Sequence, residues 1–341
     1  MSNSERKSIN PLMMSVMIRL RSVGLSPPTL SFFVILAILP LFIRSEYTLR
    51  LLVVGLLLGS QAMAFSFTLS SIDIINFGFA AFCGVGAYTS ALLAINLGIS
   101  PWIGFIAGAI VAAVLGLGVG VLTLRLRGLF AACMAWFLGL TLQSLAAVLV
   151  DLTRGYLGLP VPFLLDVASS RPYYYIILPI AILTYVVLQG LDQSNIGLAC
   201  RAIGQNTEAA KASGVNPTKY KVINFTVSCA LAGVLGVFHA HFVGVLTPEI
   251  MATTHTTEVL ALAYIGGRTS LWGGLLAALV IIPVFEYLRS IVMEVRFIIY
   301  GLLLISVMIF YPEGLTGLVR AAGRLAVKLI GKWRQGTGAQ K

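Results

Sequence analysis

The chain has 341 residues, of which 58% are hydrophobic and only 10% charged, with a mean hydropathy of +0.96. Soluble proteins carry about 25% charged residues, so an ordinary soluble enzyme and a disordered chain are both excluded for want of polar surface. A net charge of +11 would suggest nucleic acid in a soluble chain; in a membrane chain it is first a matter of topology.

A membrane span needs roughly 20 apolar residues, and charge-free runs locate the candidates. From the N-terminus these are the shorter run Leu30–Ile43, then Leu51–Ile72, and then Ile74–Leu124, long enough for two spans broken near Asn96-Leu97-Gly98-Ile99-Ser100-Pro101. Leu129–Val150, Pro172–Leu191 and Val222–Pro248 each suffice for one more, and Val259–Gly267, Thr269–Phe285 and Phe297–Pro312 are shorter candidates. The expectation is an all-α, polytopic membrane protein of about ten transmembrane helices. Residues 29–317 would form its membrane domain. Pro11, Arg19 and Arg21 interrupt the apolar character of residues 1–28, so a cleaved signal peptide is not expected. Met13, Met14, Met17 and Leu20 make an apolar stripe there instead. Leu318, Ala322, Leu325, Leu329 and Trp333 make another in 318–341, and both segments read as amphipathic helices on the membrane lipid.

With both termini cytoplasmic, the inside segments are 1–28, the Arg125/Arg127 turn, 192–222, Arg268 and 312–341. They hold 17 Lys and Arg, against six outside: Arg44, Arg50, Arg154, Arg171, Arg289 and Arg296. Basic residues are retained on the cytoplasmic side, so the +11 is topology and calls for no nucleic acid. The four cysteines, at 83, 133, 200 and 229, form no CxxC pair and are too sparse for a disulfide framework. No phosphate-binding G-x-x-x-x-G-K-[ST] loop is present, since the one Gly-Lys, Gly331-Lys332, is followed by Trp333. His239 and His241 stand two apart on a predicted helix and point to different faces, so they read as satisfied polar side chains rather than joint ligands. No catalytic or metal-binding cluster is expected.

The longest segment outside the membrane is 192–222, too short to be a domain. Ser194 or Asn195 caps a helix running to about Gly204, and Thr207 caps a second short helix opening on Glu208, favourably placed in its first turn. Gly214 suits the left-handed residue that ends such a helix. Asn216 then caps the next span, with Pro217 at its first position. Capping alone fits equally a loop that merely returns the chain to the membrane. The specific reading rests on Glu208-Ala209-Ala210-x-x-x-Gly214, where small residues and a turn glycine suit a helix that packs into a partner's groove. Arg201 belongs to the same loop.

This spacing resembles the EAA motif of bacterial ABC-importer permeases, without the Leu-Pro that usually ends it. The resemblance widens along the chain. Phe77-Gly-Phe-Ala-Ala-Phe-Cys-Gly-Val-Gly-Ala-Tyr88, Leu124-Arg-Leu-Arg-Gly128, Cys200-Arg-Ala-Ile-Gly-Gln-Asn206, Gly266-Gly-Arg-Thr-Ser-Leu-Trp-Gly273, Tyr300-Gly-Leu-Leu-Leu-Ile and Phe310-Tyr-Pro-Glu-Gly-Leu315 run in the order of the LivH/LivM permeases of branched-chain amino acid importers. LivM is the more similar of the two, although Phe79 stands where LivM proteins often have histidine. The resemblance implies a type II ABC-importer-like subunit built from two pseudo-repeats. It also implies a second, LivH-like permease, two LivG/LivF-like ATPases that hold ATP and Mg, and an extracytoplasmic substrate-binding protein. The chain itself would bind no cofactor and catalyse no reaction. Urea or short-chain amides are the competing substrates within this class, and a stand-alone secondary transporter is the competing class.

Within the membrane, Gly55/Gly59, Gly104/Gly108 and Gly116/Gly120 are small-xxx-small pairs that read as plain helix packing. Gly78, Gly84, Gly86, Gly266 and Gly267 are candidate hinges in interrupted segments. Gln61, Asn76 and Gln143, with Ser66, Thr68 and Thr141, are candidate path-lining groups. Asp73, between long apolar runs, serves either a gate or, preferably, as cap of a helix starting at Ile74. Few other ionisable groups stand in the apolar runs, which argues against ion coupling.

Overall fold

The computed structural model describes residues 27–123, 129–165, 167, 169–268, 270–289, 301–302, 305–306 and 314–317. The amphipathic terminal segments, the Arg125/Arg127 turn and the final candidate span at 297–312 therefore fall largely or wholly outside the described residues.

Six helices are long and apolar enough to cross a membrane among the described residues. In chain order the elements are α1 (Pro27–Phe42), α2 (Glu46–Ile72), α3 (Phe79–Leu97), α4 (Pro101–Thr123), α5 (Leu129–Val148), the one-turn α6 (Val150–Thr153), β1 (Leu159–Pro160) and α7 (Ser170–Gln193). Then come α8 (Asn195–Gln205), α9 (Thr207–Ala212), α10 (Pro217–Val243), β2 (Val245–Leu246), α11 (Thr253–Gly266) and α12 (Gly273–Arg289). The six full-length helices are α2, α3, α4, α5, α7 and α10, while α1 and α12 are shorter apolar helices. Helix α11 has only 14 residues, about 21 Å at the rise of an α-helix, against a hydrocarbon core of about 30 Å. The expected ten crossings are thus not reached among the described residues.

Helix boundaries follow local chemistry. Ser45 caps α2, its hydroxyl accepting the Thr48 N–H, and Glu46 sits in the first turn where the helix dipole favours an acid. Gly98, at φ +63°, ends α3, and Pro101 opens α4, so the expected break near 96–101 is present. The helix start expected at Ile74 is not. Helix α2 ends at Ile72 with Asp73 in the left-handed region at φ +54°, and the next helix starts only at Phe79. Asp73 is therefore the residue that closes α2, not the cap of a following helix.

Helix α2 is buried on nearly all sides, as expected of a helix apolar all round. It packs on α12, α7, α10 and α11. A second knot joins α3, α4 and α10 through small residues. A Cβ on Gly86 would overlap the backbone of Gly233, one on Gly236 the carbonyl of Cys83, and one on Gly233 would lie 2.6 Å from Ala112 Cβ. Such contacts bring backbones together where lipid supplies no hydrophobic drive for helix association. Gly55, Gly59, Gly104, Gly108 and Gly116 face neighbouring helices in the same way, as expected for packing pairs. Helices α4 and α5 leave Ile103, Ile106, Ile110, Val114, Phe130 and Phe137 exposed.

Irregular backbone collects beside the N-terminal ends of α2 and α7 and the C-terminal end of α10. Strands β1 and β2 pair antiparallel, with Leu159 opposite Leu246 and Pro160 opposite Val245. A 3-10 turn, Pro248–Met251, then leads into α11, with Ile250 and Met251 buried and Met251 lying against Gly84.

Candidate coupling elbow and translocation path

Residues 192–222 fold into an elbow of two short helices between α7 and α10. Ser194 caps α8, its hydroxyl accepting from Ile196 N–H at 3.2 Å. The cap of α9 is Asn206 rather than Thr207. Its Oδ1 accepts from both Glu208 and Ala209 N–H at 3.0 Å. Thr207 is already helical, and its hydroxyl donates back to the Ile203 carbonyl at 3.1 Å. Asparagine ranks above threonine as a cap, so the residue types carried the signal and the boundary was one position off.

The exit from α9 is a full Schellman motif. Gly214 sits at φ +83°, its N–H donates to Lys211 O, and Val215 N–H donates to Ala210 O at 3.0 Å. A Cβ at Gly214 would meet nothing within 4 Å, so glycine is required by conformation and not by space. Asn216 and Pro217 then start α10 as expected, with Asn216 accepting Lys219 N–H at 3.3 Å.

The elbow is seated, not pendant. Gly204 lies against the end of α2, where a Cβ would come within 2.7 Å of Ser71 O. Cys200, Ile203 and Ala210 are buried beneath it. Burial pushes the Cys200 thiol up to about 11. Arg201 turns inward: its guanidinium donates to Asp192 O at 2.7 Å and to Asp192 Oδ1 at 2.6 Å, fastening α8 to the last turn of α7. Leu198, Glu208, Ala209 and residues 211–214 are among the elbow residues left exposed.

Beside the elbow, Arg268 and Asp73 form an ion pair between the α11–α12 turn and the end of α2. Arg268 had entered the sequence reading only as a topological charge. The ion pair places the end of α2 and the turn after α11 on one face, and Gly204 against Ser71 places the elbow there too.

The candidate path-lining residues do not converge. Gln61 is fully buried in α2, and among the described residues neither end of its amide has a hydrogen-bond partner. Asn76 is buried in the α2–α3 connection, where its Oδ1 accepts Gly78 N–H at 3.1 Å and shapes the start of α3. Gln143 is half-buried on α5. The candidate hinges are close-approach positions in this conformation. Gly84 and Gly86 lie inside the unbroken helix α3, Gly78 faces Ala135 O, and Gly266 packs on Gly273. Gly267, at φ +113°, ends α11.

The histidines divide. Neutral His241 donates from Nδ1 to Pro162 O at 2.7 Å and accepts the Ser90 hydroxyl on Nε2 at 2.7 Å, tying α10 to α3 and to the loop after β1. His239 faces His255 of α11, ring centroids 6.4 Å apart. Among the described residues His239 Nδ1 and His255 Nε2 have no hydrogen-bond partner, so His239 is not the satisfied side chain expected. Helix α11 begins at Thr253, which brings His255 and Glu258 into a helix the sequence reading had started only at Val259. Among the described residues no group of three or more metal-binding side chains occurs.

Residues 47–308 match the family described as "Branched-chain amino acid transport system / permease component". The chain is 27% identical over 275 residues to the LivM permease protein of a high-affinity branched-chain amino acid transport system in Escherichia coli, covering 72% of this chain. It spans only 64% of that relative's length. It is 28% identical over 301 residues to the LivH permease protein of Salmonella typhimurium, covering 80% of this chain and 96% of the relative. To the BraD permease protein of Pseudomonas aeruginosa it is 29% identical over 150 residues, 42% of this chain and 48% of the relative. No solved structure matches the chain.

Proposed function

We propose, from the premise that this chain belongs to the permease-component family of branched-chain amino acid transport systems, that it is the membrane subunit of an ABC importer for branched-chain amino acids. It lies in the bacterial inner membrane with both termini cytoplasmic and a type II importer-like bundle of about ten crossings. A LivH-like permease is its partner, two LivG/LivF-like ATPases supply the energy through ATP and Mg, and an extracytoplasmic binding protein delivers substrate. The chain performs no catalysis of its own.

The observation that carries this reading is the elbow. It presents an exposed Glu208-Ala209 and a Schellman turn at Gly214 on the face where basic residues concentrate. Seated on α2, fastened to α7 by Arg201 and continuous with α10, it can move three spans when an ATPase pushes it. Helix α10 is locked to α3 and α4 through glycines, so that displacement travels as a rigid body, the usual currency of alternating access. Gly84, against Met251, and Gly266, against Gly273, are the contacts about which those bodies slide, and Gln61, a buried amide with no hydrogen-bond partner among the described residues, is where a polar solute passing along α2 finds hydrogen bonds.

The test is reconstitution of the chain with its permease partner, ATPases and binding protein in liposomes. Leucine uptake that requires ATP supports the reading. Leucine uptake by the purified chain alone, with no ATPase present, overturns it in favour of a secondary transporter, and uptake of urea or an amide but not leucine overturns the substrate.

A further inference from the structure

On the face opposite the elbow, a cavity of about 510 Å³ opens between the ends of α2, α7 and α10 and the loop that follows β1. Its size falls within the range of small-molecule sites. Its walls are mainly aromatic and aliphatic, with Phe163, Leu165, Tyr173 and Phe242, and Ser169 and Ser170 line it too. Among the described residues its one charged lining group is Arg50, whose guanidinium carbon sits 5.8 Å from the Phe242 ring centroid. No carboxylate pairs with Arg50 among the described residues.

The walls are held in place. Tyr173 hydroxyl donates to Leu165 O at 3.0 Å and accepts Leu165 N–H at 3.3 Å. Tyr173 and Phe242 pack edge-on with centroids 5.2 Å apart, and Phe242 stacks on Phe238. Glu46 accepts the Ser169 hydroxyl at 2.8 Å and Ser170 N–H at 2.9 Å, fixing the α7 end of the rim. Arg50 is thus a cation with an unfilled fork beside a rigid apolar wall. That chemistry suits a carboxylate attached to a short hydrocarbon body, with the fork on the carboxylate and the body on the aromatics.

We infer that this mouth is an entry site for the carboxylate of a small aliphatic amino acid, visited after release from the binding protein and before passage along α2. The inference rests on the proposed importer reading and assigns Arg50 and Phe242 within it.

The probe is Val167→Cys in the full chain in nanodiscs without binding protein, labelled by an impermeant cationic thiosulfonate. Val167 is exposed on the cavity rim. Leucine at twice its dissociation constant should slow labelling about threefold by mass action, leucinamide should not, and the protection should vanish in Val167→Cys/Arg50→Gln. Unchanged labelling up to saturating leucine overturns the inference, as does protection that survives loss of Arg50. Labelling that is slow only when phosphatidylglycerol is present, and indifferent to leucine, overturns it in favour of a lipid phosphate. ATP-driven leucine uptake by the reconstituted importer separates the two readings. If uptake occurs without protection, only the entry site fails; if no uptake occurs, the importer reading fails.

Discussion

Replacing Asn206 by alanine removes one side chain that satisfies two amides, those of Glu208 and Ala209, each 3.0 Å from Oδ1. Loss of such a cap costs about 1 kcal/mol, and helix α9 has only six residues with which to resist opening. At tenfold per 1.4 kcal/mol, the local opening equilibrium of α9 rises about fivefold. Hydrogen–deuterium exchange of a peptide spanning 206–214, in the intact chain in nanodiscs, reads this directly. Asn206→Asp keeps the acceptor and should restore protection. Thr207→Ala is the control: Thr207 lies inside the helix and bonds back to Ile203, so its loss should leave exchange the same or slower. Unchanged exchange in Asn206→Ala, or equal acceleration in Thr207→Ala, would refute the assignment of the cap.

Glu208→Lys and Gly214→Arg should abolish coupling of uptake to ATP hydrolysis while leaving the protein in the membrane, measured as leucine uptake against ATPase rate in proteoliposomes; wild-type coupling in both variants would remove the elbow from the mechanism. Gly236→Ala drives a methyl into the Cys83 carbonyl and should destabilise the α3–α10 contact by about 1–3 kcal/mol, seen as a lower unfolding midpoint in detergent. Ser90→Ala leaves His241 Nε2 buried without a donor, at a cost of about 1–3 kcal/mol in the same assay. The Cys200 thiol, raised by burial to about 11, stays protonated at pH 8, so maleimide should label it far more slowly than a free thiol. Asn206→Ala should speed that labelling if the elbow is seated as described.

Much of the fold was legible in the sequence because apolar run length and capping chemistry are local. The break at Gly98-Ile99-Ser100-Pro101, the Ser194 and Asn216 caps and the left-handed Gly214 are each decided by a few neighbouring residues, and all appear where expected. Helix α11 was misjudged because Glu258 and His255 interrupt the apolar run, whereas burial against α12 and α2 makes a 14-residue helix there.

The candidate site divides along the same line. Residue type and spacing alone marked 192–222 as an organised elbow on the basic face. Pairings between side chains of different elements required the tertiary structure. Asp73 closes α2 and meets Arg268, Arg201 turns onto Asp192, and Arg50 stands over Phe242 beside an apolar cavity. A charge in a sequence has a sign and a side of the membrane; which group it faces is settled only when the helices pack. The sequence by itself therefore determined a polytopic chain with a capped elbow. Tertiary packing decided that Asp73 with Arg268 and Arg201 with Asp192 are fasteners, and that Arg50 lines a cavity.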